Sequence, residues 1–268
     1  MDITTIIGTI VGFVLILAGI AWGAEGFNPA RLGNFFNFQS FLITFGGTFC
    51  AILINYPIKQ VFGTVKIVRK VFADPGEDTS KLITTFVTLA QKSKKEGFLT
   101  LEADVKKLDN DFMKRGVQLV IDGQDAEFIR NTLETELTFI SERHRVGQEI
   151  FSVASTYFPA FGMIGTIIGL ILMLANLQDQ SQIASGMAVA LLTTFYGLVF
   201  GFLMCMPIAG KLKRRSEEEL LIKEIVIRGV LLLQSGITPT LLEANLQAYL
   251  EPGARRLAAA VERARSST

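Results

Sequence analysis

The stretch IFSVASTYFPAFGMIGTIIGLILMLANLQ, Ile150 to Gln178, contains no Asp, Glu, Lys or Arg, and after the single charge of Asp179 the run Gln180 to Gly210 is uncharged as well. About 20 apolar residues carry a helix across the hydrocarbon core of a bilayer, so each run is long enough to span. Working back towards the amino end, Leu32 to Ile58 and Ile3 to Ala24 have the same character. The pattern predicts an all-α membrane protein with four transmembrane helices in two close pairs. Residues 1–58 hold helices 1 and 2, 59–149 a helical cytoplasmic domain, 150–210 helices 3 and 4, and 211–268 a helical cytoplasmic tail.

Orientation follows from the positive charges. Lys59, Lys66, Arg69 and Lys70 follow the second run, Arg143 and Arg145 precede the third, and Lys211, Lys213, Arg214 and Arg215 follow the fourth. The short loops carry only Glu25, Arg31 and Asp179, and the amino end only Asp2. The positive-inside tendency therefore puts both charged blocks and both termini in the cytoplasm. Ile3 to Ala24 lacks the basic leader and small-residue cleavage pattern of a signal peptide and is read as a span.

Composition narrows the function. Half the residues are hydrophobic and the net charge is only +1, which gives no bulk electrostatic support for nucleic-acid binding. Cys50 and Cys205 both fall inside predicted spans, as small apolar packing residues rather than a disulfide or metal pair. His144 continues the helical stripe Ile129, Leu133, Leu137, Ile140 and is read as a packed or boundary residue. No nucleophile motif, phosphate loop or metal-ligand cluster is present, so neither an enzyme nor a cofactor is expected.

The charged blocks have helical periodicity. Leu82, Phe86, Leu89 and Leu101, Val105, Leu108, Phe112 recur at helix spacing, with Gly97, Gly116, Gly123 and the Asp74-Pro75-Gly76 turn as punctuation. The stripe from Ile129 to Ile140 runs on without a breaker to Tyr157, which predicts one long helix into the third span, bent near Pro159. Gly229 to Leu242 is uncharged but too short to span, and is expected to pack on the other cytoplasmic helices.

Within the spans, small residues and hydroxyls share helical faces. Gly162, Thr166, Gly169 and Met173 line one face of the third, and Gly186, Ala190, Thr194, Gly197 and Gly201 one face of the fourth, with Thr193 beside them. Spacings of the Gly8/Gly12, Gly165/Gly169 and Gly197/Gly201 kind let helices approach closely, so a packed bundle or oligomer is expected. Thr166, Thr193 and Thr194 have two readings: bonding the carbonyl one turn back, or lining an ion path. The second-span stripe Ser40, Thr44, Thr48, Ala51, Asn55 is read as packing. No intramembrane charge is available. An isolated ion in a low-dielectric interior costs tens of kcal/mol, whereas one charge falling through ~150 mV yields roughly 3.5 kcal/mol. Neutral hydroxyls do not bridge that gap, so ion handling requires a carboxylate from a second protein, and four helices per protomer are too few to enclose it. An oligomer around a partner helix follows.

In order and spacing, these segments resemble the MotA/PomA family of bacterial flagellar stator subunits. The resemblance is carried by Gly46-Gly47 with Asn55-Tyr56-Pro57, by residues 92–102 (KSKKEGFLTLE), by 159–166 (PAFGMIGT), by 186–197 (GMAVALLTTFYG), by Pro207 and by 234–239 (QSGITP). It implies a homopentameric ring in the bacterial inner membrane around a MotB/PomB-like single-span partner that supplies an Asp. The ring would turn as ions flow, driving the flagellar rotor switch protein. Rotor-facing charges would fall on Lys94 and Glu102, with Lys95 and Glu96 as neighbours, and coupling prolines on Pro159 and Pro207. Well-known members have arginine where Lys94 stands, and lysine lacks the bidentate fork. Sodium-driven members place threonines at the positions of Thr166, Thr193 and Thr194, so the transported ion is expected to be sodium rather than a proton.

Other readings are an ExbB/TolQ-like energiser of another envelope machine, which shares the glycine-rich third-span pattern but has three spans, and a non-conducting membrane scaffold.

Overall fold

A computed structural model describes residues 3–23, 26–64 and 79–249. Asp2, Glu25, Lys66, Arg69, Lys70, the Asp74-Pro75-Gly76 turn and the tail beyond 249 lie outside the described residues.

The described chain is almost wholly helical. Helix α1 is Ile3–Ala21. It leads into a two-residue hairpin, β1 Trp22–Gly23 with β2 Gly26–Phe27, and a 3-10 turn at Pro29–Phe35 capped by Asn28. Helix α2, Phe38–Asn55, begins at the cap Asn37, whose side chain accepts from Ser40 N–H, and contains a π segment at Leu42–Gly46. After Pro57 the chain is helical over 58–64. Helix α3 is Thr79–Glu96; a 3-10 turn at Phe98–Leu101 leads into the short α4, Glu102–Val105. Helix α5, Asp111–Ile121, follows the cap Asn110. Helix α6, Ala126–Ala175, is one unbroken helix of 50 residues with Pro159 inside it. Helix α7, Gln180–Gln234, is continuous apart from a π segment at Val199–Cys205, and α8 is Pro239–Gln247.

By length and composition α2, α6 and α7 each suffice to cross a membrane, and α1 contributes a shorter apolar stretch, Ile7–Ala21.

The described chain divides into two compact units. One comprises 1–75 with 143–215, the other 76–142 with 216–268. In the second, α3 buries Leu82, Ile83, Phe86, Leu89 and Ala90, spaced for one side of a helix. These meet Phe112, Met113 and Val117 of α5, Ile129 and Leu133 of α6, Ile225, Val226 and Val230 of α7, and Leu242 and Leu246 of α8. Two glycines admit the close contacts of this core: a Cβ on Gly116 would lie 2.7 Å from Val230, and one on Gly229 2.6 Å from the Phe86 ring. The run Gly229 to Leu242 thus packs within this unit. It is broken at Gly236, whose φ of +66° suits glycine, and resumes at Pro239 in the first helical position.

Candidate functional site: the α6–α7 threonine cluster

In the first unit α6 and α7 touch through backbone. A Cβ on Gly169 would fall 2.5 Å from Ala190 N and Gly186 O; one on Gly186, 2.7 Å from Gly169 O; one on Gly162, 2.9 Å from Thr193 O; and one on Gly197, 2.6 Å from Phe158 O. Only hydrogen fits at these positions, so the face Gly162, Gly169, Met173 predicted from spacing does meet the face Gly186, Ala190, Gly197, Gly201. The Gly8/Gly12 pair behaves differently: nothing comes within 4 Å of a Cβ on Gly8, and Gly12 meets only the end of Leu203.

This close approach draws the three predicted threonines onto one carbonyl. Ala190 O lies 3.1 Å from Thr166 Oγ1, 3.1 Å from Thr193 Oγ1 and 3.2 Å from Thr194 Oγ1. The Thr166 and Thr194 hydroxyl oxygens are 2.5 Å apart. Each hydroxyl has one proton and two lone pairs. Thr166 can donate to Gly162 O at 3.1 Å and Thr193 to Val189 O at 2.8 Å, which turns their lone pairs back into the cluster. Each of these threonines thus bonds a carbonyl one turn back, as the first reading expected, and together they also concentrate oxygen at one point.

Their surroundings differ. Thr193 is fully buried, with Gly165 against its side chain, whereas Thr166 and Thr194 are half-buried. Around them Met163, Ile167 and Leu191 are exposed apolar side chains, and the run 150–178 carries no charge. The arrangement offers neutral oxygen ligands and no countercharge.

About two turns before Thr166, at Pro159, the helices are shaped by missing N–H groups. Pro159 leaves the Ser155 carbonyl without its helical donor, and Gly201 packs there, a Cβ on it falling 2.9 Å from Pro159 Cδ and 3.0 Å from Ser155 O. Gly201 sits in the π segment of α7, whose end is closed by Met206 N–H donating to Gly201 O, five residues back. Pro207, exposed, follows immediately, so the wider turn precedes a residue that has no N–H to continue the ladder. Pro207 thus follows the π segment almost directly along α7, and Pro159 packs against that segment from α6.

Helix α2 seals the cluster, and its stripe does more than pack. Ser40, Thr44 and Thr48 are all buried; Ser40 donates its hydroxyl to the Asn37 side chain, and Thr44 donates to Thr193 O at 3.4 Å. Phe45, beside Thr44 in the π segment, packs edge-on against Phe158 and Phe200. The Tyr196 hydroxyl donates to Phe35 O at 2.5 Å and accepts from Asn37 N–H at 3.0 Å, fixing the start of α2 on α7. Sequence reasoning missed this anchoring role of Tyr196 and the acceptor roles of Ala190 O and Thr193 O, because backbone carbonyls carry no residue signal.

In the other unit, Lys94 and Glu102 are exposed on either side of the turn at Gly97, whose φ is +85°. Glu102 pairs with Lys106 at 3.0 Å. The tertiary ion pair of this segment is one the sequence did not single out: Lys92 Nζ to Asp104 Oδ2, 2.7 Å. That hydrogen bond raises the Lys92 pKa and lowers that of Asp104. It ties α3 to α4 and so holds the turn that presents Lys94, Lys95, Glu96 and Glu102.

Residues 104–225 match the model of the MotA/TolQ/ExbB proton channel family. The chain is 36% identical over 257 residues to chemotaxis protein PomA of Vibrio alginolyticus, covering 96% of this chain and 98% of that protein. It is 39% identical over 252 residues to motility protein A of Borreliella burgdorferi, covering 94% and 95%. Among solved structures it aligns with a chain of the flagellar MotAB stator complex from Bacillus subtilis at TM-score 0.85 and 33% identity, covering 96% and 98%. With a chain of C. jejuni MotAB the TM-score is 0.83 at 26% identity, covering 94% and 97%.

Proposed function

The chain belongs to the MotA/PomA family, and from that premise we propose that it is the ring-forming stator subunit of a flagellar motor, conducting sodium past Thr166, Thr193 and Thr194 and passing torque through Lys94 and Glu102. The family is not one of enzymes. Full-length similarity to PomA and motility protein A favours this reading over an ExbB/TolQ-like energiser or a scaffold.

The observation that carries the ion assignment is the convergence of three hydroxyls on Ala190 O. Sodium is a hard cation that takes oxygen ligands, and hydroxyl and carbonyl oxygens replace part of its hydration shell. A proton needs no such cage. Although the family model is described as a proton channel, oxygen crowding of this kind suits a metal cation. The charge that the cluster lacks comes from an aspartate on a single-span MotB/PomB-like partner, reached through the half-buried sides of Thr166 and Thr194. A homopentamer around that partner, in the inner membrane with both termini cytoplasmic, supplies the enclosure one protomer lacks. The lipid-facing spans are α1, α2 and the apolar parts of α6 and α7, four per chain.

In the second unit, exposed charges suit a rotor contact that forms and breaks. Exposed ion pairs contribute about 0–1 kcal/mol each and are screened by salt. Pro159 and Pro207, beside the π segment, are the coupling points at which the spans change shape.

The test is rotation speed against external sodium at fixed membrane potential and pH, with the partner co-expressed. Speed that rises with sodium supports the assignment; speed indifferent to sodium removes it and leaves the stator role standing.

A further inference from the structure

Thr48 lies in α2 between Phe45, which packs on Phe158 and Phe200, and Ile52, which is buried with Ile150, Ala154 and Cys205. This register runs the middle of α2 alongside 150–158 of α6 and 200–205 of α7. Thr48 is 1% exposed, so its side chain is inside that packing and away from lipid. Its hydroxyl has no hydrogen-bond partner among the described residues. Other threonines of the spans are satisfied: Thr156, Thr166, Thr193 and Thr194 bond the carbonyl four residues back, and Thr44 reaches Thr193 O. Thr48 follows the π segment Leu42–Gly46, where Gly47 N–H is directed at the carbonyls of both Ile43 and Thr44.

A second polar group lies in the same stretch of α6. Ser155 O has lost its helical donor to Pro159, and the α7 residue against it is Gly201, which brings no side chain to cover it. The Thr48 hydroxyl is a buried donor without a partner among the described residues, the Ser155 carbonyl has been deprived of its regular helical donor, and ordered water commonly serves such groups where two or more converge.

We propose that the Thr48 hydroxyl and the Ser155 carbonyl bind a water molecule between α2, α6 and α7, and that this water is a station of the ion path on the Pro159 side of the threonine cluster. Pro159 precedes Thr166 by about 10 Å of helix. A cation leaving the Ala190 oxygens must regain its hydration shell, and an oriented water at this distance supplies its next oxygen. Pro159 of α6 thereby frees a carbonyl that a regular helix would have consumed. The role in conduction rests on the ion-conducting reading given above; the water site itself does not.

The experiment uses the complex with its co-expressed partner, as wild type, Thr48→Val and Thr48→Ser. Valine keeps the shape and removes the hydroxyl; serine keeps the hydroxyl. The expected result is a several-fold drop in ion-driven speed for Thr48→Val, recovery in Thr48→Ser, equal partner binding in all three, and a cryo-EM peak within hydrogen-bond range of Thr48 Oγ1 that disappears in Thr48→Val. A Thr48→Val complex that runs at wild-type speed and melts higher overturns the proposal, since it marks a hydroxyl that was only unsatisfied. If Thr48→Val fails to assemble, the wild-type map decides: no peak beside Thr48 where other buried waters are resolved overturns the site. A wild type with no ion-driven rotation overturns the stator reading instead, and the map still judges the water site separately.

Discussion

Gly201 and Pro159 occupy one another's space: a Cβ on Gly201 would lie 2.9 Å from Pro159 Cδ, so the π segment of α7 and the proline of α6 fit only because one residue has no side chain. The same rule governs Gly169, where the obstructing atoms are backbone. Overpacking in a close-fitted interior costs about 1–3 kcal/mol. Gly169→Ala and Gly201→Ala are expected to lower the melting temperature of the purified complex, while Gly8→Ala, in open space, leaves it unchanged. Equal melting of all three would mean that the α6–α7 contact is looser than these distances.

The threonines should rank by position. Thr166 and Thr194 are half-buried and share a 2.5 Å contact, while Thr193 is sealed behind Gly165 and spends its proton on Val189 O. Thr166→Ala and Thr194→Ala are therefore expected to raise the sodium concentration for half-maximal speed about tenfold, a loss of about 1.4 kcal/mol. Thr193→Ser should have a smaller effect. Speed curves that overlay the wild type for Thr166→Ala would take that hydroxyl out of the path.

Charge reversal at Lys94 or Glu102 is expected to impair motility without altering membrane insertion or partner binding, since both side chains are exposed. A compensating reversal on the rotor should restore part of the speed. Normal swimming in single and double reversals would place the rotor contact elsewhere.

The Lys92–Asp104 pair sets a pH window. The Asp104 pKa is lowered by its hydrogen bond from Lys92, so its stabilising contribution is full above the free carboxyl value of about 3.9 and is lost as pH falls below it. The Lys92 pKa is raised, so its contribution is full below about 10.4 and is lost as pH rises further. Thermal melts of wild type and Asp104→Asn should differ by a constant amount through the neutral range and converge at strongly acidic pH. Asp104→Asn should also weaken torque by loosening the turn that carries Lys94.

Pro159→Ala restores an N–H to the Ser155 carbonyl and is expected to reduce rotation more than partner binding in a pull-down. Equal loss of both would assign the proline to folding.

The sequence by itself determined the apolar helices, the long α6, the glycine faces and the three threonines, because span length and helical spacing are properties of consecutive residues. It also carried the likeness to MotA/PomA stators, in segments such as 159–166 and 186–197. The tertiary structure alone decided that Thr166, Thr193 and Thr194 converge on Ala190 O, that the Thr48 hydroxyl has no partner among the described residues, and that Lys92 pairs with Asp104. The physical reason is that a carbonyl oxygen or a π turn has no letter of its own. Carbonyls are identical at every residue, and which one a hydroxyl meets depends on how deeply two helices sink into each other, here fixed by Gly162, Gly169, Gly186 and Gly197.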